Sequence, residues 1–345
     1  MPSALLLGSA SSLLSSLAAA PAKQVKRPRV ALLLPLSGAS ATVGLSMQRA
    51  AALAQSPTGK PEDTMVLDTG GSAAGAVAAV QVALKRGALA IIGPLFAEES
   101  RAAAQAAGAV PVLSFSNDED LIGSGAFLIG ITAGQSVTAI LRYARGRGVR
   151  RVAVLAGSSR WAKQGAAAAE RLRGAAGLEV TILPEGTLPG DLPATLRRAG
   201  KGELPDALLI TEGGDILRQA ARAMTGSGLQ LLGTQQAIDL PPQEINGVWL
   251  AGPDPAAMSD FSGRYQAGSA TGPGLIAALA YDAMTIIEAL RGNGVVDRSA
   301  LLSAPGFNIV TGPIRFGADG SANRALSILV ATPDGYIVAD KSGSL

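Results

Sequence analysis

The residues with chemical potential in this sequence sit where short apolar runs end. RVALLLPL (29–36) stops at Ser37-Gly38, LAIIGPL (89–95) at Phe96, VPVLSFS (110–116) in Ser114-Phe115-Ser116-Asn117, and RVAVLAG (151–157) in Ser158-Ser159-Arg160-Trp161. A phosphate loop would need GxxxxGK[ST], and a dinucleotide loop GxGxxG directly after a strand; neither occurs. What Ser37-Gly38 offers is a small hydroxyl and free backbone N–H groups at the start of a helix, a combination that suits a carboxylate. The alternative is that Ser37 caps the helix and touches no ligand. The chain has 6 Phe, 4 Tyr and 2 Trp, and Phe96, Phe115 and Trp161 all fall at these run ends. Aromatics there either line a cleft or plug the end of a domain.

Absent residue types exclude more than the present ones select. The chain has no His and no Cys, which removes Ser-His-Asp catalysis, His- or Cys-ligated metal and cysteine nucleophiles. No Ser or Thr stands three residues before a Lys, so SxxK chemistry is missing as well. No motif calls for a cofactor or a metal. Asp118-Glu119-Asp120 lacks the oxygen spacing of a calcium loop and reads as a solvated helix start. The basic clusters at 23–29 and 142–151 read as solvated surface. With 29 basic against 26 acidic residues, the net charge of +3 is far from the concentrated charge of a nucleic-acid binder, and none is expected as a partner.

The elements that must position these loops alternate along the chain. Apolar runs at 29–36, 64–69, 89–95 and 110–116 are separated by Ala-rich helical stretches at 41–55, 73–88 and 97–108. Near-continuous apolar strands between helices of this length predict a parallel sheet covered on both faces. The pattern restarts with a helix at 134–148 and strands at 151–157, 179–184, 206–211, 229–234 and 247–253, so two Rossmann-like lobes are expected. A polar helix (258–268), a long apolar one (275–292) and short strands with Asp319-Gly320 and Asp334-Gly335 turns complete the chain. Residues 194–206 read as an exposed, charged connection. The first 22 residues form an uncharged Leu/Ala/Ser run ending in Ala20-Pro21-Ala22, the pattern of a secretory signal, although no basic residue precedes it. A soluble, exported protein is expected.

The segments VALLLPLSGASATVGLSMQRAAALA, IIGPLFAEESRAAAQAAGAVPVLSFSND, RVAVLAGSSRWAKQGAAAAERL, GLIAALAYDAM and TGPIRFGADGSANRALSILV, in this order, resemble the type 1 periplasmic binding proteins, which include the leucine/isoleucine/valine-binding proteins. The resemblance implies an α/β fold of two Rossmann-like lobes with a hinge and an inter-lobe cleft. Lobe one would hold 27–133 plus 257–304, and lobe two 134–256 plus 305–340. Ligand-binding positions carried over from it and from the loops are Ser37, Gly38, Phe96, Ser114, Phe115, Ser116, Asn117, Trp161 and Gln235. A family aromatic falls at Gly213-Gly214 and its ammonium-binding Glu at Gln235. The hydroxyl run of the first-lobe loop is replaced by Phe96-Ala97, so free amino acids are expected to bind weakly or not at all. The wording of IIGPLFAEES and PVLSFSND is similar to the penicillin-binding protein activator branch, which implies a non-enzymatic periplasmic regulator whose partner is a peptidoglycan synthase. The lipoprotein members of that branch differ from this chain, which has no Cys. The alternative implied is a solute-binding protein for an amino-acid ABC importer, with a permease as partner and a small amino-acid-like ligand.

Overall fold

Every residue of Val30–Leu34, the first strand (β1), is buried, because alternate side chains of a strand point to opposite faces and both faces are covered here. Val30, Leu32 and Leu34 face one core with Met47 and Ala50, whereas Ala31 and Leu33 face another with Ala76, Val80 and Ala103. This double coverage is why the strand reads as a continuous apolar run instead of an alternating one. The computed structural model describes residues 27–55, 60–174, 177–268 and 272–341. The secretory leader expected over residues 1–22 lies outside them.

The first lobe carries a five-stranded parallel sheet of order β2-β1-β3-β4-β5. Its strands are β1, β2 (Thr64–Asp68), β3 (Ala90–Ile92), β4 (Val112–Ser114) and β5 (Ala126–Leu128). Helices α1 (Ala41–Ala54), α2 (Ala73–Lys85) and α3 (Ala97–Ala107) connect them.

The second lobe begins with α4 (Ala133–Gly146) and continues through β6 (Arg151–Leu155), α5 (Arg160–Arg171), β7 (Glu179–Ile182), α6 (Leu192–Ala199), β8 (Ala207–Ile210), α7 (Gly214–Ala223), β9 (Gln230–Gly233) and β10 (Trp249–Gly252). The same division of faces holds there. Val152, Val154 and Leu209 pack on one side, and Ala153, Leu155, Leu208 and Ile210 on the other. The exposed connection expected at 194–206 is in part a helix. Leu192 and Leu196 of α6, one turn apart, bury one face in that second core.

The chain then returns to the first lobe. Helices α8 (Pro255–Gln266), α9 (Leu275–Gly292) and α10 (Arg298–Ser303) are followed by the hairpin β11 (Ile314–Phe316) and β12 (Ala322–Arg324). Phe261, Met284, Leu301, Phe307, Ile314 and Phe316 all join the core of β1. The boundary expected after residue 304 therefore falls about twenty residues later, because the three aromatic and aliphatic side chains of 307–316 are buried in lobe one. Strands β13 (Ser327–Thr332) and β14 (Gly335–Lys341) then pair antiparallel beyond β10, giving a seven-stranded mixed sheet of order β14-β13-β10-β9-β8-β6-β7.

The chain thus crosses between lobes three times, after β5, after β10 and after β12. Two buried groups fasten these crossings. Arg324, at the end of β12, donates to the carbonyl of Ile129 in the first crossing and to Thr311 Oγ1. Thr311 in turn donates its hydroxyl to Asp282 Oδ2 of α9 at 2.6 Å, and the carboxylate also accepts the N–H groups of Val310 and Thr311. Burial pushes the Asp282 carboxyl up and the Arg324 guanidinium down to about 10, each opposed by the other's charge. Within lobe two, Ser136 of α4 donates to Ala251 O at 2.9 Å and accepts from the Gln235 N–H at 3.0 Å, tying α4 to the end of β10.

Removing one member of a buried charge pair leaves the other desolvated and unpaired, a loss of about 3–5 kcal/mol. Arg324→Met is expected to lower the urea-unfolding free energy by about 3 kcal/mol. A loss under about 1 kcal/mol, typical of an ordinary surface position, would show that the crossings are fastened elsewhere.

Candidate functional site

Ligands of open α/β sheets bind beyond the carboxyl ends of the strands, where the strand order reverses. Here that edge of each lobe faces the other across a cleft of about 1400 Å³. The expected site residues divide between those that line it and those that do not. Phe96, Phe115, Ser116, Asn117, Trp161 and Gln235 line the cleft; Ser37, Gly38 and Ser114 do not.

The PLSG turn does hold a carboxylate, but the carboxylate belongs to the protein. Asp68, at the end of β2, accepts the N–H groups of Leu36 at 2.8 Å, Ser37 at 3.3 Å and Gly70 at 2.8 Å. The Ser37 hydroxyl and these N–H groups hold the Asp68 carboxyl below the usual carboxylate range. The nest expected for a ligand is filled from the neighbouring strand, which removes Ser37 and Gly38 from the cleft.

Ser114 is spent on local structure as well. Its hydroxyl, fully buried, meets Ser100 Oγ at 2.7 Å and accepts the Ser116 N–H at 3.1 Å. Ser100 Oγ also lies 2.8 Å from the Phe96 carbonyl, so this pair ties the start of α3 to the end of β4. Ser116 Oγ accepts the Asp118 N–H at 3.2 Å and shapes the turn behind Asn117. Phe115 is buried in the lobe-one core while lining the cleft, whereas Phe96 is 40% exposed there.

On the opposite wall Trp161, at the start of α5, is 6% exposed and donates its indole N–H to Thr234 Oγ1 at 3.2 Å. Glu212, which follows β8, lies at the strand-order reversal of this lobe, between β6 and β8. Its place depends on Gly157 at the end of β6, because a Cβ on residue 157 would fall 1.6 Å from Glu212 Oε2. The same oxygen accepts the Ser159 N–H at 3.4 Å, at the N-terminus of α5. Gly213 is also closely packed, with the Gln236 carbonyl 2.7 Å from where its Cβ would stand. Gln236 and Asp239 complete this polar wall.

The lobes also touch directly along one rim of the cleft. The acidic triplet expected to be a solvated helix start is instead paired across the gap with α5. Asp118, 5% exposed, accepts from Arg160 and, at 2.7 Å, from Gln164 Nε2. Asp120 pairs with Arg160 at 3.2 Å and Glu119 with Arg171 at 3.3 Å. Arg160, Gln164 and Arg171, at spacings of four and seven, fall on one face of α5. Glu119 also accepts the Gly134 N–H at the start of α4, at 2.6 Å. Burial works against the Asp118 carboxylate, but the bonds from Gln164, the Asp120 N–H and Arg160 outweigh it and hold its pKa below the usual range.

Sequence reasoning missed Glu212, Asp239 and this rim. Glu212 carries no motif, and its only signal is a Gly at the end of the adjacent strand. The α5 face was readable from its spacing, but its partners sit about 40 residues earlier. Among the described residues no group of three or more acidic side chains could hold a metal ion, and no helix is long and apolar enough to cross a membrane.

Residues 28–335 match the model of the periplasmic binding protein family. Comparison with curated proteins by sequence gives no match. Among solved structures, a protein from Rhodospirillum rubrum described as a branched-chain amino acid ABC transporter is similar at 23% identity and a TM-score of 0.78, over 90% of this chain and 99% of that one. The C-domain of LpoA (YraM) from Haemophilus influenzae, described as a regulator of PBP1A, is similar at 17% identity and a TM-score of 0.70, again over 90% and 99%. A solute-binding protein from Rhodopseudomonas palustris BisB5, solved with 3,4-dihydroxybenzoic acid, gives 19% identity and a TM-score of 0.65 over 91% and 96%. At these identities the likeness is one of fold.

A carboxyl whose pKa falls on folding stabilises the folded arrangement above its unfolded value and loses that contribution as pH falls through its folded value. Acidification from about pH 7 to about pH 2, through the lowered folded value of Asp118, is therefore expected to release it from Arg160 and Gln164 and to widen the cleft. Small-angle scattering should show a larger radius of gyration at the lower pH, with the far-ultraviolet circular dichroism unchanged. Arg160→Ala should give the same expansion at neutral pH. An unchanged radius in both would mean that this rim does not hold the lobes.

Proposed function

The chain belongs to the periplasmic binding protein family, and from that premise we propose that it is a non-enzymatic, exported module that regulates peptidoglycan synthesis in the manner of the penicillin-binding protein activators. The observation that carries this reading is the protein's own contact between its lobes. Asp118, Glu119 and Asp120 of lobe one engage Arg160, Gln164 and Arg171 of lobe two, so lobe closure is set by side chains of the chain. A carrier works the other way, because a ligand drives closure only through its differential affinity for the closed state. A pair of lobes biased by its own contacts toward one degree of closure suits a surface that a partner protein recognises. The partner is a peptidoglycan synthase, in line with the description of the LpoA C-domain as a regulator of PBP1A.

The cleft's chemistry agrees in part. Gln235 supplies no charge where an amino-acid binder places an acid for the ammonium group, Gly213 and Gly214 supply no aromatic, and Asp68 fills the nest of Ser37. A second reading, a solute-binding protein delivering to an ABC permease, is favoured by an open cleft between the lobes and by the fold of the Rhodospirillum rubrum protein.

Two measurements separate the readings. Added to a purified bifunctional peptidoglycan synthase, the protein is expected to raise the rate of glycan-strand polymerisation or cross-linking. Branched-chain amino acids at millimolar concentration are expected to leave its melting temperature unchanged. Ligand at 100 times its dissociation constant adds about 2.7 kcal/mol, which appears as a shift of several degrees. Such a shift with leucine, together with no effect on the synthase, would overturn the regulator reading in favour of the carrier.

A further inference from the structure

The two walls of the cleft differ in kind. Lobe one presents Val43 and Leu45 of α1, Phe96 before α3 and Ile276 of α9, which are 36%, 56%, 40% and 41% exposed. These four are large apolar side chains left in water around one opening, which marks a surface meant to be covered. Lobe two presents the carboxylates of Glu212 and Asp239, neither in an ion pair among the described residues, and the amides of Gln235 and Gln236. The cations at the cleft are already engaged. Arg160 is held by Asp118 and Asp120, and Arg49 donates to the Gly268 carbonyl at 3.0 Å and lies over the Tyr265 ring. Arg49 has no acidic partner among the described residues, so the two carboxylates of lobe two outnumber one unpaired cation, and the balance on the lobe-two wall is negative.

Gln235 adds an independent indication. It is 8% exposed and lines the cleft, and its backbone N–H is bonded to Ser136 Oγ. An amide that both donates and accepts suits the N–H and C=O of a peptide backbone. The volume of about 1400 Å³ also exceeds the usual range of about 300–1,000 Å³ for small-molecule sites.

From these walls we propose that the cleft receives an extended segment of a partner protein in which a Lys or Arg is flanked by large apolar residues. The apolar side chains pack on Leu45, Phe96 and Ile276, the cation lies between Glu212 and Asp239, and Gln235 and Gln236 bond the segment's backbone. This rests on the reading of the chain as a partner-binding module, but it is decided by a different experiment.

The probes are two acetylated, amidated tetrapeptides, Leu-Lys-Phe-Leu and Leu-Glu-Phe-Leu, with free lysine as the small-amine control, titrated into the full chain by calorimetry. The lysine peptide is expected to bind at least about tenfold more tightly than the glutamate peptide, a difference of about 1.4 kcal/mol. Asp239→Asn, at an exposed position, and Glu212→Gln should each reduce that preference, and Leu45→Ser should weaken both peptides alike. Equal affinity for the two peptides, no saturable binding of the lysine peptide, or binding of free lysine as tight as the peptide would each overturn the proposal. A preference for the lysine peptide without any effect on the synthase would keep the cleft assignment and sink the regulator reading. Stimulation of the synthase without that preference would do the reverse.

Discussion

The arrangement of this molecule hangs on the charge relay from Arg324 through Thr311 to Asp282. Two lobes joined by three strands of chain have no covalent reason to hold one relation to each other. The relay supplies a physical one: a guanidinium at the end of β12 reaches the first crossing at Ile129, while its counter-charge lies inside α9 of lobe one. Both ions are desolvated, so the relay is stable only while complete. It makes the base of the hinge a defined object, and the cleft inherits its shape from that base.

The rim contacts of α5 act on top of this base and are of another magnitude. Arg160 and Arg171 have side chains that are 64% and 63% exposed, and ion pairs of that kind contribute about 0–1 kcal/mol each. Asp118 is the exception, since it is buried and bonded from two sides. The rim therefore selects one degree of closure without locking it, and acid or salt can undo it.

Much of the fold was legible because each lobe repeats a simple physical pattern. Strand β1 reads apolar throughout since two cores share its faces, and α1, α2 and α3 begin within a residue of where the Ala-rich stretches begin. The last quarter was less legible. Phe307, Ile314 and Phe316 carry no sign in their spacing of which lobe they enter, and their burial in lobe one is a tertiary outcome. The candidate site was legible by loop and not by residue. Phe96, Ser116 and Trp161, read from strand-end position, and Gln235, carried over from the resemblance, all line one cleft. Strand-end position could not show that Asp68, on a different strand, would claim the Ser37 turn, or that Gly157 leaves space for Glu212. Such choices are made by neighbours remote in sequence, which spacing rules do not see.

The central claim is that the protein's own contacts set the relation of its lobes. The most direct test is the distance between them in solution, and a chain without Cys accepts labels cleanly. Spin labels on Val295→Cys of lobe one and Leu188→Cys of lobe two, both at exposed positions, report that distance by pulsed dipolar spectroscopy. The account predicts one narrow distribution in the otherwise unaltered chain at neutral pH, unchanged by amino acids and broadened when Arg160 and Arg171 are both replaced by Ala. A broad distribution that narrows only on adding a small ligand would contradict it.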